Sequence, residues 1–161
     1  MKNLKYIDPP YIDYYKNIVD AKNNTYKGQT NRAKSTLNSL RGQVELNYNH
    51  YQSKFCVSSL HELDDSNYSG FDKTALLKAY SDNGKNLSLL KTKIKDAQEL
   101  DLQNLCPYCG ILTPNSTDHY VPKDSYPEYA VLAINLVPCC IQCNGKKSEF
   151  WKQGTSRGII N

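Results

Sequence analysis

Through most of the first hundred residues apolar side chains recur every three or four positions, the spacing of helices that bury one face. Pro9-Pro10 closes a short arm, Tyr11 to Ala21 then reads as helical, and Asn23-Asn24 and Gly28 break the pattern. From Asn31 to His61 the positions Leu37, Leu40, Val44, Tyr48 and Tyr51 step by three and four, which predicts an amphipathic helix. Asp64-Asp65-Ser66-Asn67 and Ser69-Gly70 form a polar break. Asp72 is the expected N-cap of a helix through Ala75, Leu76, Leu77 and Tyr80, stopped by Asp82-Asn83-Gly84. A further helix spans Leu87 to Leu100, with Leu90, Ile94 and Ala97 on one side.

At Leu105 the pattern changes. Helical spacing gives way to short segments punctuated by Pro114, Pro122, Pro127 and Pro138. Short strands are predicted around Ile111–Thr113, Thr117–Val121 and Asn135–Val137. Ser125 is the expected cap of a short helix whose first turn holds Pro127 and Glu128, and a last helix runs from Ile141 to about Gln153. The expected fold class is therefore α+β: a helical region over 1–100, then a small second domain over 101–161.

Composition narrows the setting. The chain has 161 residues, 39% of them hydrophobic, and its 13 tyrosines can fill a modest core while their hydroxyls reach water. No apolar run approaches the ~20 residues that cross a bilayer, and Met1-Lys2-Asn3-Leu4-Lys5 lacks the apolar stretch of a secretory signal. A soluble, cytoplasmic protein without membrane contact is expected. The net charge is +4, and the excess lies wholly in residues 1–100, with Lys22, Lys27, Arg32, Lys34, Arg41 and Lys54 prominent. Such a stretch can follow a phosphate backbone; the plainer reading, a solvated helix face, is preferred on charge alone.

Six cysteines in a reducing compartment argue against a disulfide framework. Cys106-x-x-Cys109 and Cys140-x-x-Cys143 have metal-ligand spacing, and two such pairs supply the four thiolates of a closed structural zinc site. Cys139 competes with Cys140, but the x-x spacing favours Cys140. That leaves Cys139 and Cys56 as small buried apolar residues. The loop between the pairs is longer than a simple zinc ribbon needs, so the clasp closes around an inserted unit. Its stretch from Lys123 to Ile134 is expected to hold a short packed helix.

That unit carries Asp118-His119-Tyr120-Val121-Pro122, then Asn135-Leu136, then Cys143-Asn144-Gly145-Lys146-Lys147. Phosphodiester hydrolysis needs a base for water and a cation opposite the departing oxyanion. His119 is the natural base, because its unperturbed pKa is near neutrality. In a strand Asp118 and His119 point to opposite faces, which suits a division into metal ligand and base. Asn135 is expected to accept the imidazole Nδ1–H and leave Nε2 free to take a proton. Asn144 begins the last helix beside Cys143, where its amide oxygen can meet the same cation as Asp118. Singly, each has a plainer role: Asp118 as a strand-end cap, Asn135 as a turn former, Asn144 as a helix cap, the two lysines as a solvated helix end. His50 and His61 lack such a context and are expected on a helix surface.

The pattern C-x-x-C, D-H-x-x-P, N-L-x-x-x-C-x-x-C-N-x-x-K resembles the HNH endonuclease (ββα-metal) family, in the branch clasped by a four-cysteine zinc. The resemblance covers residues 105–150. It implies a hairpin and helix gripping one divalent ion, with Asp118 and Asn144 as ligands and His119 activating the attacking water. Asn144, where many members have histidine, makes this the H-N-N version and favours a hard cation, Mg²⁺ or Mn²⁺. Lys147, or Lys146, would meet a phosphate as a point charge.

Three functional expectations follow. The first is an endonuclease hydrolysing double-stranded DNA, or structured RNA. The second is a zinc-stabilised nucleic-acid-binding module without catalysis. The third concerns setting: helices before such a centre resemble those of HNH components of anti-phage defence, including Septu-like and retron-linked systems paired with an ATPase, which would make residues 11–100 a partner-binding region. The end at Gly158-Ile159-Ile160-Asn161, which leaves two isoleucines exposed, implies truncation or closure against a partner.

Overall fold

The computed structural model describes residues 4–82, 84–153 and 156–157, with 153, 156 and 157 described by backbone alone. The expected exposed end at 158–161 lies outside the described residues. Helix α1 (Tyr11–Asp20) buries Tyr11, Ile12, Tyr15, Ile18 and Val19 along one stripe. A small hairpin follows, β1 (Thr25–Tyr26) against β2 (Gln29–Thr30). Its two-residue turn, Lys27-Gly28, has φ of 51° and 75°, the positive pair that a tight I′ hairpin turn requires and that glycine supplies without strain.

The helix expected over Asn31–His61 is two helices. The first is α2 (Arg32–Ser39), capped by Asn31 Oδ1 accepting from the Lys34 N–H, and the second is α3 (Arg41–Cys56). They meet at Leu40, whose φ of −84° and ψ of −6° stay right-handed, so the apolar spacing runs through the bend unchanged. Ser58, at φ 59°, separates α3 from a 3₁₀ turn at Leu60–Glu62. This turn holds His61, while His50 stands exposed on α3. Cys56 is exposed rather than buried, because it lies on the last turn of α3 away from the core.

Helix α4 (Gly70–Ser81) starts from Ser69, so Asp72 lies in its first turn instead of capping it. There its carboxylate meets the positive end of the helix. Helices α5 (Lys85–Asp96) and α6 (Leu100–Asn104) complete the helical half.

In the second half β3 (Ser116–His119) pairs antiparallel with β4 (Leu136–Cys139), setting Asp118 opposite Val137 and His119 opposite Leu136. Helix α7 (Ile141–Lys147) follows directly and packs on β3. It stops six residues before the expected Gln153, because Ser148 takes a φ of 47° that no helix can continue. The chain then forms a last small hairpin, β5 (Lys152–Gln153) with β6 (Ser156–Arg157). Residues 111–113 form no strand, and the expected helix after Ser125 is a 3₁₀ turn at Pro127–Tyr129.

The fold is α+β, with β3, β4 and α7 in ββα order. Buried side chains on both sides of residue 101 share one core, in which Tyr15, Leu37, Val44, Tyr51 and Leu87 pack with Val121, Tyr129, Leu132, Leu136 and Trp151. The hinge of this core is polar. Asn135, fully buried, accepts from Tyr51 Oη on α3 at 3.0 Å and from the Val121 N–H at 2.7 Å. Its Nδ2 donates to the Val121 and Tyr129 carbonyls. No hydrogen-bonding position of this amide is wasted, as a buried amide demands.

Removing the cross-chain bond tests the unity of this body. Tyr51→Phe is expected to lower unfolding free energy by about 1 kcal/mol while leaving one cooperative transition in thermal denaturation. Two separate transitions in the parent chain would contradict it.

Candidate functional site

The tight turn after Leu105 is closed by the Cys106 N–H on the Leu112 carbonyl and the Gly110 N–H on the Cys106 carbonyl, both at 2.7 Å. Gly110 has φ 69°, a backbone conformation that glycine adopts freely. This turn presents Cys106 and Cys109, and the start of α7 presents Cys140, at the N-cap, and Cys143. The four sulfurs lie within 4.8 Å of one another, with Cys109 and Cys140 at 4.0 Å. None is in a disulfide. A tetrahedral zinc with bonds of about 2.3 Å would set its sulfurs about 3.8 Å apart, so the cluster fits that ion. Backbone N–H groups of Leu112 and Ile111 lower the Cys109 thiol, while burial raises that of its coupled neighbour Cys143. Cys139 is buried but lies outside the cluster, and burial raises its thiol to about 12. It packs as an apolar residue.

Asp118 and His119 leave β3 on opposite faces, both almost fully buried. Asp118 Oδ2 accepts from Tyr108 Oη at 2.6 Å. Tyr108 is one of the two residues between Cys106 and Cys109, so the cysteine turn directly fixes this carboxylate. The Lys147 ammonium sits 3.2 Å from each Asp118 oxygen and donates to the His119 carbonyl at 2.8 Å. Burial pushes the Asp118 carboxyl above its ordinary range, against the pull of Lys147 and Tyr108. The expectation that Lys147 meets a phosphate is corrected here. Its side chain is wholly buried and its donors are turned inward, whereas Lys146 on the same helix is exposed.

On the other face, His119 Nε2 lies 2.9 Å from the Ala130 carbonyl. A carbonyl can only accept, so in the neutral ring Nε2 carries the proton and Nδ1 holds the lone pair. The Tyr80 ring of α4 packs on the imidazole edge-to-face, with centroids 4.4 Å apart. The expected bond from Asn135 to the ring is therefore also corrected. The Asn135 amide is spent on Tyr51, Val121 and Tyr129, and the Ala130 carbonyl orients His119 in its place. Asn135 acts one step back, by holding the segment from His119 to Val121 against the start of β4. Burial brings the imidazole down to about 4, the Ala130 carbonyl opposing only in part, so His119 is neutral at pH 7.

Asn144 Nδ2 donates to Ser116 Oγ at 2.8 Å and toward the Thr117 carbonyl at 3.4 Å. Its Oδ1 has no partner among the described residues. Asp118, His119 and Asn144 line one cleft of about 390 Å³, whose rim includes Lys123, Asp124 and Glu149. A carboxylate offers about four lone-pair positions, and Tyr108, Lys147 and the His119 backbone engage most of those of Asp118, so a cation there would have to displace or share one of these partners. Asp118 and Asn144 present the oxygen donors that a hard divalent cation takes. Tyr80 carries no sequence signal, since it lies on α4 far from the motif. Tyr108 carries one, in its place between the paired cysteines.

No family model matches the chain, and no solved structure does. Two curated proteins resemble parts of it. Protein ea31 of Escherichia phage lambda is 35% identical over 81 residues, covering 49% of this chain and 27% of that protein. Septu protein PtuB of Bacillus thuringiensis is 41% identical over 49 residues, covering 27% of this chain and 19% of that protein. The matched regions thus span about a quarter and a fifth of these relatives. No described helix is long and apolar enough to cross a membrane.

Two measurements check this geometry. Lys147→Met leaves Asp118 buried without its countercharge, and the expected cost is roughly 3–5 kcal/mol, read as a fall in unfolding free energy. Unchanged stability would restore Lys147 to the surface role expected from sequence. Imidazole ¹⁵N spectra should show His119 neutral, protonated on Nε2, from pH 8 down to about pH 5. Because unfolding restores the ordinary value near 6.5, this group's contribution to stability is full above that pH and is lost as pH falls toward 4. A ring titrating near 6.5, or protonated on Nδ1, would contradict the burial.

Proposed function

We propose that this chain is a metal-dependent HNH-type endonuclease that hydrolyses phosphodiester bonds, with double-stranded DNA as its substrate. The observation that carries the reading is the single cleft shared by Asp118, His119 and Asn144 beside the four-cysteine cluster. In this reading the cysteines hold one structural zinc, and Asp118 and Asn144 would hold one Mg²⁺ or Mn²⁺. That ion would supply positive charge to the phosphate and the departing oxygen.

His119 does the proton chemistry. Its Nε2–H is committed to Ala130, so the Nδ1 lone pair takes a proton from water as the new O–P bond forms and the bond to the leaving oxygen breaks. Burial keeps the imidazole neutral, so nearly every molecule is in the basic form at pH 7. Tyr80 and the Ala130 carbonyl hold the ring. Lys146, exposed on α7, and Lys123, half-buried in the cleft lining and paired with Asp124, are the candidates for meeting a flanking phosphate.

The partial likeness to Septu protein PtuB supports a place in a Septu-like defence system. There the helical half would meet a regulatory partner such as an ATPase. A second reading, a nucleic-acid-binding module without catalysis, is favoured by one observation: Lys147 already neutralises the carboxylate that a cation would use.

The two separate on incubation of the chain with plasmid DNA and structured RNA, with Mg²⁺, Mn²⁺ or neither. Metal-dependent cutting that falls on the order of 10²–10⁴-fold in His119→Ala is the expected outcome. Binding without cutting under every condition favours the second reading, and full cutting by His119→Ala removes the mechanism. Cutting confined to the RNA would reassign the substrate.

A further inference from the structure

Several of the prominent cations of the helical half are already engaged within it. Lys22 pairs with Asp82, Arg41 with Asp20 and Lys54 with Glu62, while Arg32 lies over the Phe71 ring.

Helix α5 behaves differently. Beside the His119 cleft runs a second groove of about 420 Å³, between α5 and the Pro114–Thr117 stretch. The two share Tyr80, Ser116 and Thr117 as a common wall, so they lie side by side. Lys91 and Lys95 line this groove, and no acidic side chain does. Lys95 has no hydrogen bond or ion pair among the described residues. Lys91 rests its ammonium 4.2 Å from the centre of the Tyr80 ring, the same ring that packs on His119. The two spaces differ in charge. The cleft mixes Asp118, Asp124 and Glu149 with Lys123, and Asp118 and Asp124 each have a lysine partner, whereas the charged side chains lining the groove are Lys91 and Lys95, which suits a polyanion.

We propose that the α5 groove seats the sugar–phosphate backbone of the nucleic acid on its way into the His119 cleft, with Lys91 and Lys95 as its countercharges. This rests on the nuclease reading and gives the helical half a part in substrate binding. The two lysines are one helical turn apart, about 6 Å along the axis. A strand of duplex DNA carries one charge per ~3.4 Å of axis, so this separation covers roughly two charge steps and lets both ammonium groups meet phosphates of one strand. Hydroxyls of Thr92, Ser116 and Thr117 along the same groove can donate to phosphate oxygens. Such contacts grip without reading sequence.

The test uses the full chain carrying His119→Ala, so that binding is measured without cutting. Affinity for a labelled DNA duplex and an RNA hairpin is followed against salt, with Lys95→Gln, Lys91→Gln plus Lys95→Gln, and Lys93→Gln added in turn. Lys93 is the control, because it faces Tyr14 on another side of α5. The salt slope on DNA should become shallower by about 0.9 per groove lysine removed and stay unchanged in Lys93→Gln. The same change on RNA alone would assign the groove to RNA backbone. Unchanged slopes on both, with the parent still cutting, overturn the groove and leave the nuclease reading intact. A parent that neither binds nor cuts overturns both. As a check independent of folding of the variants, acetylation of the unmodified chain is compared with and without DNA. Lys95 should be protected and Lys93 not; equal labelling of Lys95 in both states overturns the proposal.

Discussion

Four cysteine sulfurs gathered within 4.8 Å of one another, with no disulfide among them, form a cluster that can hold a metal ion. The geometry of the site descends from that cluster. The Cys106–Cys109 turn carries Tyr108, which holds Asp118, and Cys140 and Cys143 open α7, which carries Asn144 and Lys147. Structural zinc in small peptides contributes on the order of 10–16 kcal/mol to folding, far more than the hydrogen bonds around it. A clasp of that strength can hold a buried carboxylate, ammonium and imidazole together, a costly arrangement on its own.

The helical half completes the site from the other side. Tyr51 reaches from α3 to the Asn135 amide, and Tyr80 from α4 to the imidazole. The ring is thus held between Tyr80 and the Ala130 carbonyl, and its environment is set by packing as much as by the motif. The lysines at the site divide by burial. Lys147 serves the fold, Lys123 pairs with Asp124, and Lys146 and Lys95 reach solvent without an ion-pair partner among the described residues.

Much of this was legible in the sequence, and what was not has physical reasons. The cysteine spacing picked out the four residues that cluster, including the choice of Cys140 over Cys139, because x-x spacing sets two thiols on one turn. The Asp118–His119 alternation followed from strand geometry. Partners that lie outside the motif were not legible: Ala130 acts through a backbone carbonyl, which any residue has, and Tyr80 is brought in only by tertiary packing. The spacing of Lys147 on α7 gives its position but not the inward turn of its side chain. The bend at Leu40 was hidden for a similar reason, since a right-handed junction preserves the apolar period.

If the cysteine clasp is the source of the site's geometry, metal content and cutting must go together in one preparation. Zinc is counted per chain by elemental analysis, removed with a chelator, and Mg²⁺ alone is then restored before plasmid cleavage is measured. One zinc per chain, and cutting that is lost with it and returns only when zinc is added back, is the expected result. Full cutting by zinc-free chain, with Mg²⁺ as its only metal, would contradict the account.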